Sequence, residues 1–303
     1  MTYGGEPSAS ARTSVRDEAR ERAKELRDLH RKKDRRRKLI VRGSVVGGIL
    51  AILIVISFVL LALNSPGGRG PLNMQSDGIK IGEEYIAERT GALAAGADPT
   101  PSAENPADVI DIQLYVDYLC AKCGQFEENN GDSIRAWLES GAATIEIHPI
   151  AVLTTKSAGT QYSLRAANAA ACVAELSPDS FFDFHDALLT DQPEEGSVGL
   201  SDDELVARAT AAGVSNLTAV EQCIDDGRFR SWVRAATARA ISGPLPGTEV
   251  EAVVSTPTIL VNGEQFNYTA GFDANEFRQF VLRAAGEEFT QNATPTPTPT
   301  PTE

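Results

Sequence analysis

Two cysteines one helical turn apart, Cys120-Ala121-Lys122-Cys123, are the residues of this 303-residue sequence best placed to do covalent chemistry. A thiolate is both nucleophile and leaving group, so such a pair can open and re-form a disulfide. The setting supports that use. Val109 to Val116 (VIDIQLYV) is β-branched and alternating, as strands are, and a helix is predicted from the motif through Trp137. The first cysteine then stands at a helix N-terminus, where unpaired backbone N–H groups and the macrodipole favour an anion. Cys120 is therefore expected to ionise below the roughly 8.5 of a free thiol, with Lys122 adding positive charge. Cys123, one turn into the helix, is placed to attack the Cys120 sulfur. A zinc knuckle would need two more ligands at matched spacing. Cys172 and Cys223 are not paired that way, and His30, His148 and His185 are scattered, so no metal site is expected. A purely structural bridge is a poor use of so small and reducible a ring.

The elements that must hold this motif can be read on either side of it. Ala143 to Ile147 is a second strand. About 90 residues of helical pattern follow: Tyr162–Leu176, Ser177–Leu189 after a Ser-Pro entry, a helix opened by the capping box Ser201-Asp202-Asp203-Glu204 and ended by Gly213, then 217–226 and 228–241. After the punctuation GPLPG at 243–247, strand character returns at Thr258–Val261. Asn262-Gly263 is a hairpin turn, because both central residues of a type I′ turn need positive φ. Gln265 to Tyr268 reads as the return strand and Asp273 to Ala285 as a closing helix. The order predicts an α/β fold with helices on both faces of one mixed sheet.

Two runs carry a family resemblance. Leu119 to Glu127 (LCAKCGQFE) and Ser255 to Gly263 (STPTILVNG) resemble the C-x-x-C-x-Q-F-E and T-P-T-x-x-V-N-G segments of DsbA-like thiol–disulfide oxidoreductases of the thioredoxin superfamily. The resemblance implies a thioredoxin-like domain over 108–153 and 251–287, with an all-helical insertion over 154–250. It implies Cys120 and Cys123 as the catalytic pair, Thr256 and a cis Pro257 facing them, and Lys122 and Glu127 shaping the site. It implies no cofactor, reduced exported proteins as substrates, and reoxidation by a membrane quinone-linked partner. Membrane tethering, the Arg-rich basic set and the extra cysteines resemble actinobacterial members. The residues alone do not establish a cis Pro257, since only about 5–6% of X-Pro bonds are cis, and a strand-initiating proline is the alternative. With the family geometry, the Thr256 backbone can pair with a substrate strand beside Cys120.

The sequence also departs from the family. Ala121-Lys122 is neither Pro-His nor Gly-Pro, which leaves a reductase or isomerase, or a binding-only protein, as rival readings. Six residues before Cys120, where the family often has a buried acid, stands Leu114. Asp117 reads as an ordinary solvated carboxylate, although it or Glu127 could partly replace that acid. Cys172 and Cys223 are expected to pair in an oxidising compartment; a second shuttling pair and two free thiols are the alternatives. His148 and His185 read as satisfied structural side chains, and Phe181, Phe182 and Phe184 as core.

Charge divides the chain. Overall, 28 Lys+Arg stand against 42 Asp+Glu, a net charge of -14, and hydrophobic residues make up 42%, enough for a core rather than a disordered chain. The low pI argues against a nucleic-acid partner. Yet residues 1–42 hold 14 basic and 7 acidic residues, 43–63 hold neither, and 64–303 hold 14 and 35. The uncharged run 43–63 (GSVVGGILAILIVISFVLLAL) would be about 31 Å long as a helix, which matches a bilayer core. A cleaved signal peptide fits worse, because its apolar run is only about 7–15 residues and a small-residue cleavage site follows it. The basic cluster from Arg31 to Arg42 predicts a cytoplasmic N-terminus against lipid headgroups, and 64–303 outside. Residues 64–107 have linker composition around one short candidate ordered piece, GIKIGEEYIAERTGAL. The Thr-Pro-rich segment 288–303 reads as an extended tail.

Overall fold

The structure, a computed structural model, describes residues 68–269 and 271–292. The basic segment 1–42, the proposed span 43–63 and the tail from 293 lie outside the described residues. Among the described residues no helix is long and apolar enough to cross a membrane.

The centre of the fold is strand β2 (Ile110–Val116), whose last five residues are all buried. A strand covered on both faces needs apolar or paired side chains at every position, which explains its near-continuous run. It pairs in parallel with β3 (Ala143–Pro149) and antiparallel with β4 (Thr258–Val261). An edge strand, β1 (Ile79–Ile81), lies antiparallel to β3, and the short β5 (Glu264–Gln265) closes the far edge, giving the order β1-β3-β2-β4-β5. Among the described residues seven α-helices join it: α1 (Ala121–Glu139), α2 (Tyr162–Leu176), α3 (Phe181–Leu189), α4 (Asp202–Ala211), α5 (Leu217–Asp225), α6 (Arg230–Ser242) and α7 (Ala274–Asn292). Helices α2 to α6 form the inserted block. Its axis is α2, buried nearly all round because its small alanines let neighbouring helices approach closely. The bridge Cys172–Cys223 ties α2 to α5. Ser201 and Glu204 form the reciprocal capping box at the start of α4.

Two sequence expectations change, and one is met. The short ordered piece expected at 78–93 within the linker-like segment is present: its strand-like start is β1, and Ile79, Ile81, Ala87 and Leu93 are buried, as is Met74 before it. The return strand is Glu264–Gln265 rather than four residues from Gln265, although Phe266 N still donates to the Ile259 carbonyl at 2.9 Å while its ring packs against Phe277 and Phe280 of α7, with centroids 5.2 and 5.1 Å away. Helix α7 runs to Asn292, past Ala285 and into the segment read as tail. The Asn262-Gly263 turn has φ of 48° and 78°, the positive pair a type I′ hairpin requires.

Candidate active site

Strand β2 delivers the chain to the motif, and Cys120 is the residue that caps α1, with extended backbone. Antiparallel pairing of β4 with β2 brings the start of β4 beside the end of β2, in the register Tyr115↔Thr258. That register sets Thr256 and Pro257, which precede β4, against the cysteines. Cys120 Sγ lies 3.3 Å from the Thr256 carbonyl oxygen, and the Thr256–Pro257 bond is cis. Both thiols are free, with Cys120 5% exposed and Cys123 1%.

The two sulfurs differ sharply in acidity. A hydrogen bond from the Cys123 thiol, helped by Thr256 and by the backbone N–H groups of Cys123 and Lys122, lowers the Cys120 pKa to about 6 against the opposing effect of burial. Burial, then the hydrogen bond given to Cys120, pushes the Cys123 thiol well up. The helix start thus acts through donors at short range. Lys122 contributes its backbone N–H, while the residue itself is exposed.

Beneath the motif lies a buried polar seam. Asp117, read from sequence as solvated, is fully buried. Its carboxylate accepts hydrogen bonds from Leu119 N (2.9 Å), Leu153 N (2.8 Å) and Ser163 Oγ (2.7 Å). The parallel β2–β3 pairing explains this, since it carries the residues after both strands to the same end of the sheet. Burial raises the Asp117 pKa in spite of those donors, and its charge helps hold Cys123 protonated. Asp117 is the buried acid beneath the pair, three residues before Cys120 rather than six. Its sequence signal was its place between a strand end and the motif. Glu127, one turn after Cys123, is buried with Oε2 3.8 Å from His185 Nε2, and His185 Nδ1 lies 3.2 Å from Tyr118 Oη. Tyr118 and His185 thus back the site, which the sequence reading did not assign to them. Gln192 Nε2 donates to the Tyr118 carbonyl at 3.0 Å. At Gly124 a Cβ would meet the end of the Gln192 side chain and lie 3.1 Å from the Leu189 carbonyl, so a larger residue would make this loop of the insertion shift. Among the described residues no cluster of three or more His, Cys, Asp or Glu could hold a metal ion.

The thioredoxin family model matches residues 104–281, which takes in every element of the site and more than half of the chain. The chain belongs to the thioredoxin family. Within it the chain is DsbA-like, of the thiol–disulfide oxidoreductase class of enzymes. The solved structure of a reduced disulfide bond oxidoreductase (DsbG) from Mycobacterium tuberculosis is 26% identical with a TM-score of 0.52, covering 73% of this chain and 94% of its own. Oxidised DsbA of the same organism is 26% identical at a TM-score of 0.51, covering 72% and 100%. BdbD from Bacillus subtilis, 17% identical at a TM-score of 0.50 over 73% and 98%, shares the fold. A search of curated proteins returned no match.

The remaining site residues fall as follows. Cys120, Cys123, Thr256, Pro257 and Glu127 come together at one end of the sheet. Cys172 and Cys223 are bonded to each other inside the insertion, both fully buried. His148 lies elsewhere, buried and stacked on Tyr115, with the Glu146 carboxylate 3.8 Å from its Nε2.

Proposed function

We propose that the protein oxidises thiols in exported proteins, working outside the cytoplasm from a membrane anchor. The reading is carried by the low pKa of Cys120, about 6, beside a Cys123 that stays protonated. Starting from the Cys120–Cys123 disulfide, a substrate thiolate attacks Cys120 Sγ. The Cys120–Cys123 bond breaks, Cys123 takes up a proton, and a mixed disulfide links the substrate to Cys120. A second substrate thiolate then attacks the substrate sulfur, and Cys120 leaves as a stabilised thiolate. Two electrons pass from substrate to protein, and a stabilised reduced form makes the pair a stronger oxidant. The Thr256 backbone, beside Cys120, would pair with an extended substrate segment by main-chain hydrogen bonds, with little sequence preference. Reoxidation falls to a membrane quinone-linked partner, which returns Cys120 and Cys123 to the disulfide by accepting the two electrons.

The test is the reduction potential of the Cys120–Cys123 pair together with a peptide-oxidation assay. A potential near about -120 mV fits an oxidant, whereas one near about -270 mV would turn the reading into a reductase. Cys123→Ser should accumulate mixed disulfides on a non-reducing gel through Cys120, and Cys120→Ser should not. Equal trapping by both would leave only a binding role.

A further inference from the structure

Strand alternation turns Tyr115 and Leu260 away from the face that carries Leu114 and Ile259, and there they form a second, smaller core with Ile150, Ala240 and Leu245. Beside it opens a pocket of about 390 Å³ between the sheet, α6 and the loop after α6. Pockets of this size take small molecules, and their usual makeup is an apolar wall with a few fixed polar groups. This one has apolar walls, Ile150, Ala240, Leu245 and several prolines among them.

Its polar groups stand out. Among the described residues nine buried side-chain N or O atoms lack a hydrogen-bond partner, and three of them, Tyr115 Oη and both ring nitrogens of His148, belong to two rings lining this pocket. Both residues are only 2% exposed. The rings are also held in place. They stack with centroids 4.2 Å apart and planes 12° from parallel. The backbone of Gly78 closes on His148, where a Cβ would come within 2.6–2.7 Å of three ring atoms. Leaving such atoms buried and unpaired costs stability, and a ligand that pairs them recovers it.

We propose that this pocket binds a small, uncharged, mostly apolar molecule bearing a carbonyl, amide or hydroxyl group, with Tyr115 Oη and the His148 ring as its polar anchors. The charges around the pocket select the class. Arg239 is already matched by a two-pronged ion pair with Asp77, at 2.6 and 2.7 Å. Asp98 lines the pocket as well, and the Glu146 carboxylate faces His148 with Oε1 3.8 Å from Nε2. Asp111 adds negative potential at the ring, and the backbone of Asp77 also faces it. With carboxylates on several sides and one cation already paired, an anion is disfavoured. Burial holds His148 neutral, so its ring offers one donor and one acceptor, and the Tyr115 hydroxyl can serve as either. A carbonyl, amide or hydroxyl meets that set.

The test uses the full chain with benzamide as probe and benzoate as its charged counterpart of the same shape. Benzamide should move the His148 ring NMR signals saturably, with a Kd on the order of 1 mM as befits so small a molecule, while those of His185 stay put. Benzoate should bind at least about tenfold more weakly. Tyr115→Phe, which removes one oxygen and keeps the packing, should weaken benzamide severalfold. Leu245→Trp should fill the pocket and abolish binding; if that variant does not fold, Ala236→Met fills it from the helix side. The proposal fails if no saturable shift of His148 occurs, if benzoate binds as well as benzamide, or if binding survives filling of the pocket. It fails equally if the His148 ring shows contacts to bound water that benzamide does not displace, which would make this a buried water site.

Discussion

A single pair of thiols carries opposite acidities because each sees a different side of the same helix start. Cys120 receives the donors; Cys123 supplies one and is otherwise buried. Thiolate absorbance of the reduced protein should therefore titrate with a midpoint near pH 6 for Cys120. Cys123→Ala should move that midpoint upward, since it removes the largest of the lowering contacts. The sign for stability follows. A folded pKa below the ordinary value of 9.0 gives the reduced form an advantage that is complete above about pH 9 and lost as pH falls through about 6. Denaturant melts of reduced and oxidised protein between those limits should show the reduced form gaining with pH. Asp117 is the second residue to probe. Three donors converge on its carboxylate, so Asp117→Asn sets an amide N–H₂ against at least one of them and should cost about 1–3 kcal/mol of stability. It also removes a buried carboxylate whose charge acts on Cys123, so attack by Cys123 on a mixed disulfide should slow roughly tenfold or more. A merely structural Asp117 would lower the melting temperature and leave that rate unchanged. The motif itself could be read from the sequence, because C-x-x-C after a strand has few physical uses. The burial of Asp117 could not, because it depends on Leu153 and Ser163, 36 and 46 residues further along the chain.

At the scale of elements, local signals carried most of the fold. The strand β4, the Asn262-Gly263 turn and the Ser201 capping box each rest on residues a few positions apart, and each is found where the pattern puts it. What the sequence hid was pairing at long range. Strand β1 is three residues long and owes its existence to β3, some 65 positions away, with Ile79 opposite Ile147. Phe266 keeps its backbone bond to Ile259 while its ring joins an aromatic cluster on α7, a contact no local pattern announces. The inserted block has its own staple. Cys172 and Cys223 close a loop across a separation of 51 residues, which in the chain-entropy model stabilises by roughly 4 kcal/mol. Replacing both with Ala should lower the melting temperature by several degrees, and the Cys120 midpoint should stay near pH 6. Both sulfurs are inaccessible, so a mild reductant should open Cys120–Cys123 first and Cys172–Cys223 only with denaturant. A mass map linking Cys172 or Cys223 to Cys120 would overturn this division of roles.

For the molecule as a whole, the proposed topology rests on two independent arguments, the charge partition and the disulfide. Half of the basic residues, 14 of 28, lie in the first 42 positions, next to an uncharged run of 21 residues. Basic residues flanking such a run are expected to stay on the cytoplasmic side, which under the proposed topology would send the remainder outward. Separately, a buried bond between Cys172 and Cys223 is what the proposed compartment, where glutathione and thioredoxin do not keep thiols reduced, would permit. The expected outcome is that protease added to intact cells digests the domain, while an epitope placed before residue 42 is protected until the membrane is opened. The digest should also leave a short fragment that stays with the membrane fraction and resists extraction by carbonate. A soluble form in the medium, beginning after the apolar run, would mean that the run is a cleaved signal and the anchor does not exist. The same result would leave the thiol chemistry untouched, because Cys120, Thr256 and Asp117 are brought together by β2, β3 and β4, all of which follow the apolar run in the sequence.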